Sequence, residues 1–568
     1  MELAARPLRR LNVKRRPLPS TARDCLFLAG LVALSVVLYT DGLGFYSDDW
    51  AFLRILETTS DRSYPGLVRS LHDGDVFIQQ RPVQVAYLGA LYSAFGVEPL
   101  GYHVVNAVVL IAIAVLLYFV VRELGQPRVL AVAVAAVYGL MPNYSSDRFW
   151  IAAHQATLSV LFLLVGVLAA LHGLRAGRVA ASTLTVVAVA ALAASGLAYE
   201  VTIPLLVLVL GLLVFRTRRL GLLEPGRRVR ALSLIGANVA TLGALVAFKV
   251  ETSIRVGVDQ PYGDYLGDLV SGTLRVDLGV YGLALPYVLF WIVRHAADAA
   301  VLGLGACAAG AVTAYLFKLH RSGLDYPRLG VRFVVGGLAT MVFGYAIFLV
   351  PTVVSFSSAS LGNRIRIGAA LGTAAVLVGA VVLIASLARK AALRQAVFAA
   401  GVGVLCGAGF IVTNTLARFW VSAYAEQREI VWHLQADVPA LTPGSTLIID
   451  GVCLERGGAF IFTGHRDVTG VLTIRYGQLR LTGSAITNPP TLTDRGLFVY
   501  TFGAPDFFAY GRKLVIYDAA GRRAHRLVDR KSAEDYFEGS DFRPDTDCPP
   551  GFSWRGELPA STSRRDIR

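Results

Sequence analysis

Between residues 25 and 415 this chain is a succession of apolar runs about as long as a bilayer is thick, and no other feature limits its fold so tightly. The runs lie near 25–40, 101–121, 128–142, 150–171, 179–196, 199–215, 231–250, 297–318, 331–351, 366–388 and 393–415. At a helical rise of about 1.5 Å per residue, roughly 20 residues cross the ~30 Å of hydrocarbon. Only helices satisfy the backbone of such runs in lipid. Over 568 residues, with 55% hydrophobic and 16% charged side chains and a mean hydropathy of +0.57, there is too little polar surface to cover several soluble globules. The reading is a polytopic α-helical membrane protein of about eleven spans.

Loop charge orients the spans. Arg and Lys crowd residues 1–24, read as a basic cytoplasmic tail, and 216–230, and positive charge marks the cytoplasmic side. Alternation then places 41–100, 142–149 and 251–296 outside. The apolar string 279–293 is read as an interfacial helix on the outer face, because a twelfth crossing would put Lys318, Arg321, Arg328 and Arg332 outside. The first span reads as an uncleaved signal anchor. The net charge of +15 lies largely in these membrane flanks, where anionic lipid is the natural partner, so no nucleic-acid role is expected. The excess of Arg over Lys fits a bacterial plasma membrane protein.

The loop 41–100 is long enough to have structure and a task. Helical spacing of Trp50, Leu53 and Leu56 makes the string from Asp48 a surface helix, and 83–96, after Pro82, makes a second. Beyond residue 415 the character changes. Residues 416–440 read as a helical link, and Leu447–Asp450, Val471–Tyr476, Leu497–Phe502 and Lys513–Tyr517 as strands, with a hairpin turn at 518–521. Residues 416–550 are therefore expected to form an extracytoplasmic, mixed α/β, β-rich domain, and 551–568 a disordered tail. Cys453 and Cys548 share that domain and either pair or remain free.

Asp48 and Asp49 follow the first span. Adjacent carboxylates at a membrane surface suit proton abstraction from a hydroxyl or capture of a metal, although one acid at a helix start is explained by capping. Asp147 and Arg148 come to the same face in the loop 142–149. Arg81, His103 and Asn106 flank the second span, Glu200 opens the sixth, and Arg364 and Arg366 precede the tenth on the side where positive charge is unexpected. Each has a structural explanation: capping, snorkelling or helix packing. Together, carboxylates with guanidinium groups fitted to phosphate oxygens suit a reaction between a lipid phosphate and a polar acceptor.

These strings resemble the GT-C class of membrane glycosyltransferases, especially bacterial relatives of the protein O-mannosyltransferases. The resemblance covers about residues 20–415 and rests on Asp48-Asp49, on Arg81-Pro82 through Gly101-Tyr-His-Val-Val-Asn106, on Pro142 to Trp150, on Tyr199-Glu200 and on Asn363-Arg364. Tyr199 stands where that class commonly has Lys, and Ile365 where it has an aromatic residue. The resemblance implies a polyprenyl-phosphate sugar donor, with Asp48 or Asp49 as general base on the acceptor hydroxyl. It implies Arg364, with Arg81 in reserve, on the donor phosphate, and Asp147, Arg148, His103 and Glu200 elsewhere in the site. A divalent cation held by Asp49 and Asp147 is a further possibility within the class. The acceptor is a polysaccharide, a glycolipid or a protein. The alternatives from other classes are a multi-span transporter or lipid flippase, and a non-catalytic membrane protein that binds envelope polysaccharide.

Overall fold

The computed structural model describes residues 20–219, 228–253, 261–319, 324–352, 357–501 and 504–539. Among these, ten helices are long and apolar enough to cross a membrane: Ser20–Val37, Pro99–Glu123, Ile151–Gly173, Arg178–Ala198, Glu200–Arg219, Arg228–Thr252, Ala299–Leu319, Tyr326–Leu349, Leu361–Ser386 and Ala391–Asp437. They match ten of the eleven expected spans. The chain is an integral membrane protein. The basic segment before residue 20, the tail 551–568 and Cys548 lie outside the described residues. Cys453 is disulfide-bonded, whereas Cys25, Cys307 and Cys406 are free.

The remaining expected span, 128–142, is the 13-residue helix Arg128–Leu140. At about 1.5 Å per residue it is only ~20 Å long. It needs no more, because it is enclosed by protein: every residue from Val129 to Leu140 is buried, so no lipid thickness has to be matched. Its first residue is held at the start of the first span, where Arg128 Nε and Nη2 lie 2.5 and 2.6 Å from the buried Asp24 carboxylate. Tyr118 and Tyr315 donate to the same carboxylate at 2.8 and 2.6 Å, so four helices meet at one satisfied charge pair. The chain beyond Leu140 arrives at Asp49, past the other end of that span.

Two other expected helices are longer than the sequence reading drew them. The string 279–293 belongs to a longer pair, Tyr262–Leu283 with Leu285–His295, bent by 66°. Pro286 begins the second limb, where its missing N–H and its ring break the preceding turn. The last span and the helical link are one helix of 47 residues, Ala391–Asp437, about 70 Å long. No Gly or Pro interrupts the stretch from Phe410 to Val438, so nothing ends the helix where hydropathy falls.

The C-terminal domain is built on a four-stranded sheet in the order Thr482–Ala485, Thr446–Asp450, Leu514–Asp518, Arg523–Arg526. The first three strands are parallel and the fourth closes the expected hairpin, with Asp518 Oδ1 accepting from the amides of Ala520 and Gly521 at 3.0 and 2.9 Å. The expected strand Val471–Tyr476 is instead part of the helix His465–Tyr476. A crossover between neighbouring parallel strands requires such an element, and Val468, Val471 and Leu472 recur at helical spacing toward the sheet. Leu447 and Ile449 join the main core, while Ile448, Leu514 and Ile516 face a smaller outer core with Leu497, Val499 and Phe508.

The helix His465–Tyr476 lies against the surface helix Asp48–Thr58, and glycine permits the approach: a Cβ on Gly470 would sit 2.4 Å from the Trp50 carbonyl oxygen. Gly470→Ala is therefore expected to cost about 1–3 kcal/mol through overpacking against backbone. The checks are a lower Tm and faster proteolytic release of the C-terminal domain.

Candidate active site

The chain leaves the first span through Gly44 to Asp49, and this turn is held on every side. Tyr46 Oη donates to the Trp420 carbonyl at 2.8 Å, Trp150 Nε1 donates to the Tyr46 carbonyl at 3.0 Å, and His103 Nε2 lies 3.0 Å from the Gly44 carbonyl. Asp49 is the brace: its two oxygens accept from the amides of Tyr46 at 2.9 Å and Ala152 at 2.6 Å, tying the turn after the first span to the segment that follows the loop 142–149. Burial pushes its carboxyl well above the ordinary carboxylate range. Ser47 adopts φ 47°, a conformation that costs a non-glycine residue of order 1 kcal/mol or more, and its hydroxyl meets that of Thr463 at 3.2 Å. Asp48 points differently. Its side chain is 34% exposed and 3.8 Å from the Arg466 guanidinium, which also pairs with Asp75. The acidic pair thus divides into one buried brace and one accessible carboxylate.

The loop 142–149 is fixed by Asn363. Its Oδ1 accepts from Ser145 Oγ at 3.1 Å and from the Ser146 amide at 3.0 Å, while its Nδ2 donates to the Ser358 carbonyl at 2.9 Å. The loop 142–149 and the segment before the tenth span consequently move as one piece. Asp147 is fully buried, and neither of its oxygens has a hydrogen-bond partner among the described residues. Burial raises its carboxyl far above normal, opposed by the charges of Arg364 and then Arg148. The Arg364 guanidinium lies 5.0 Å from the centre of the Trp150 ring, a cation–π arrangement that holds the charge in place without neutralising it. Arg148 turns inward, donating to the Gly139 carbonyl at 2.6 Å and lying over Tyr144.

The third part comes from Arg81, Glu200 and Lys249. Arg81 grips Glu200 through two hydrogen bonds of 3.1 and 2.6 Å, and Lys249 Nζ reaches the same carboxylate at 3.1 Å. Two cations on one anion leave a net positive charge. Arg81 also lies 4.9 Å from the centre of the Tyr199 ring. Tyr199 is buried within the fields of Arg364, Arg81, Glu200 and Asp147, and Arg81 feels the charge of Asp48. Charged side chains from four separated segments, Arg81, Asp147, Glu200 and Arg364, therefore converge around Tyr199, and Asp48 acts on Arg81 from the turn that follows the first span.

No family model matches the chain. Over 143 residues, 23% of the chain, it is 32% identical to the Protein O-mannosyl-transferase Tmtc1 of Drosophila melanogaster, and the match spans 17% of that relative's length. The solved structure of ArnT from Cupriavidus metallidurans bound to undecaprenyl phosphate aligns with 76% of this chain and 83% of its own at 16% identity, with a TM-score of 0.33. The chain resembles the GT-C membrane glycosyltransferases.

Several residues stand in places the sequence reading did not assign. Arg81, held in reserve for the donor phosphate, is engaged by Glu200. His103 is a buried brace whose ring meets His154 edge-on at 5.7 Å. Arg366 forms a wholly buried ion pair with Asp277 at 3.3 Å, which Tyr345 and Asn143 complete by hydrogen bonds to the same carboxylate. Lys249 was missed, since at the end of an apolar run it reads as a snorkelling flank. It sets an ammonium beside Glu200 from another helix, where the GT-C pattern leads one to expect Lys at position 199. The residues present do not fit a divalent cation on Asp49 and Asp147. Both oxygens of Asp49 are taken by amides, and among the described residues no three His, Cys, Asp or Glu side chains are grouped to hold a metal.

Proposed function

We propose that this protein is a glycosyltransferase that moves a sugar from a polyprenyl-phosphate donor to an acceptor hydroxyl at the extracytoplasmic face. The observation that carries the reading is the separation of charge within one site: an accessible carboxylate, Asp48, on one side, and on the other Arg364 with the net-positive cluster of Arg81, Glu200 and Lys249. Asp48 takes the proton from the acceptor hydroxyl, the hydroxyl oxygen attacks the anomeric carbon, and the bond from that carbon to the lipid phosphate breaks with its electron pair on phosphate. The departing phosphate gains negative charge that the guanidinium of Arg364 meets, with the ammonium of Lys249 nearby. Asp49 and Asn363 hold the loops so that base and cations keep their spacing.

Turnover of a radiolabelled polyprenyl-phosphate sugar by the full chain in proteoliposomes tests the proposal, and absence of turnover with any lipid-linked sugar would overturn it. Within that assay, Arg364→Glu is expected to raise the donor KM by about tenfold or more, as loss of a charge-assisted phosphate contact does. The acceptor KM should change far less. An unchanged donor KM would remove Arg364 from the phosphate.

A further inference from the structure

At the end of the bundle remote from Asp48, a cleft of about 620 Å³ opens between the starts of the helices Arg178–Ala198 and Arg228–Thr252, against the end of the span Ile151–Gly173. That span begins beside the candidate site, where the Ala152 amide donates to Asp49, and its 23 residues put the two places about 30 Å apart, at opposite faces of the membrane. The lining is basic and holds no acid. Arg175 and Arg230 enter from two separate elements, and no Asp or Glu stands among the described residues that line the cleft. Arg175 pairs with Glu123 at 2.8 Å, whereas Arg230 uses one nitrogen on the Ala176 carbonyl at 3.2 Å and has no ion pair among the described residues. Three hydroxyls join them. Ser182 and Thr185 donate back to their own helix at 3.2 and 2.8 Å, which leaves their lone pairs free to accept, and the Ser233 hydroxyl has no partner among the described residues. The flanks are apolar. Val179, one turn before Ser182, and Val229, one turn before Ser233, are 83% and 74% exposed. Valines so open at the first turns of two spans are stable against hydrocarbon rather than water, which sets the cleft where lipid headgroups meet acyl chains.

From this we infer that the cleft binds the headgroup of an anionic glycerophospholipid, taken from the leaflet opposite the candidate active site. The lipid phosphate meets the Arg230 guanidinium through charge-assisted hydrogen bonds, and Arg175 adds to the positive field. Hydroxyls of a glycerol headgroup donate to Ser182 and Thr185 and accept from Ser233. The acyl chains leave over Val179 and Val229. Charge selects among lipids: a zwitterionic headgroup brings a cation for which the lining offers no carboxylate. Position selects lipid over a soluble anion, since free phosphate would satisfy Arg230 but leave the two valines uncovered. Loop charge marks this face as the cytoplasmic one, where anionic lipid attracts basic segments.

Lipid binding needs no turnover, so the test is independent of the transferase reading. Full-length protein in a neutral detergent is titrated with phosphatidylglycerol, phosphatidylcholine and glycerol 3-phosphate, and bound molecules are counted by native mass spectrometry. The tightest phosphatidylglycerol is expected to bind saturably, about tenfold or more ahead of phosphatidylcholine. Arg230→Gln removes the phosphate contact, and Ser233→Trp fills the cleft from an exposed position; each should weaken that binding by about tenfold. Neither residue is in the core, so both variants should melt near the parental temperature, and either one reports on the cleft if the other does not. Arg218→Gln removes an exposed arginine of the same face that does not line the cleft, and should leave binding unchanged. Equal binding of the two lipids, binding that neither cleft variant alters, or an equal loss in Arg218→Gln would overturn the inference. Saturable binding of glycerol 3-phosphate that Arg230→Gln abolishes, without preference between the lipids, would overturn it in favour of a soluble anion.

Discussion

Asp48→Asn protein is expected to insert, fold and bind donor normally, yet to transfer sugar about 10²–10⁴-fold more slowly, the usual contribution of a positioned general base. The substitution keeps the shape of the side chain and its place in the first turn of Asp48–Thr58, and removes only the ability to take a proton. The salt bridge it loses, 3.8 Å to a half-exposed Arg466, contributes little to stability. Asp49→Asn is the informative contrast. Its amide nitrogen would face one of the two backbone amides that Asp49 now accepts from, leaving a buried donor unpaired at a cost of about 1–3 kcal/mol. The Asp49 variant should therefore show a lower Tm along with any loss of rate, whereas the Asp48 variant should lose rate alone. Full activity of the Asp48 variant with loss only in the Asp49 variant would transfer the base role to the buried carboxylate and sink the division of labour drawn here.

The largest stability effect is expected at Asp277. Removing it by Asp277→Ala strands the Arg366 guanidinium in a site where both partners are wholly enclosed, and breaking such a pair costs about 3–5 kcal/mol. Asn143 and Tyr345 would lose their acceptor as well. Thermal unfolding in detergent should show the loss, and joint replacement, Asp277→Leu with Arg366→Met, should recover much of it because neither charge is then left alone. If the single variant unfolds at the parental temperature, Arg366 must find another partner.

The local character of the chain was legible wherever one residue's chemistry sufficed to announce it. Runs of apolar residues located ten spans, Trp50, Leu53 and Leu56 marked the surface helix, and Asp518 with Gly521 marked the hairpin. Partnership was not legible. Asp48 and Asp49 are identical in type and adjacent in order, yet a helix start turns one toward backbone amides and the other toward solvent. Lys249 and Asp277 gave no motif, because their meaning lies in Glu200 and Arg366, which reach them across long stretches of chain. Val471–Tyr476 read as a strand, since β-branched residues suit either geometry and the need for a crossover helix arises only from the parallel pairing of its neighbours.

Sequence alone determined that the chain lives in a membrane and that a differently built domain follows the last span. Those follow from solvation, which acts on each segment independently of the rest. Tertiary structure alone decided which charges are braces and which are accessible, why a helix of 13 residues takes the place of an expected span, and where the C-terminal domain sits against Asp48. These are matters of distance and burial between remote segments, and a charge acquires its role only from what stands within a few ångströms of it.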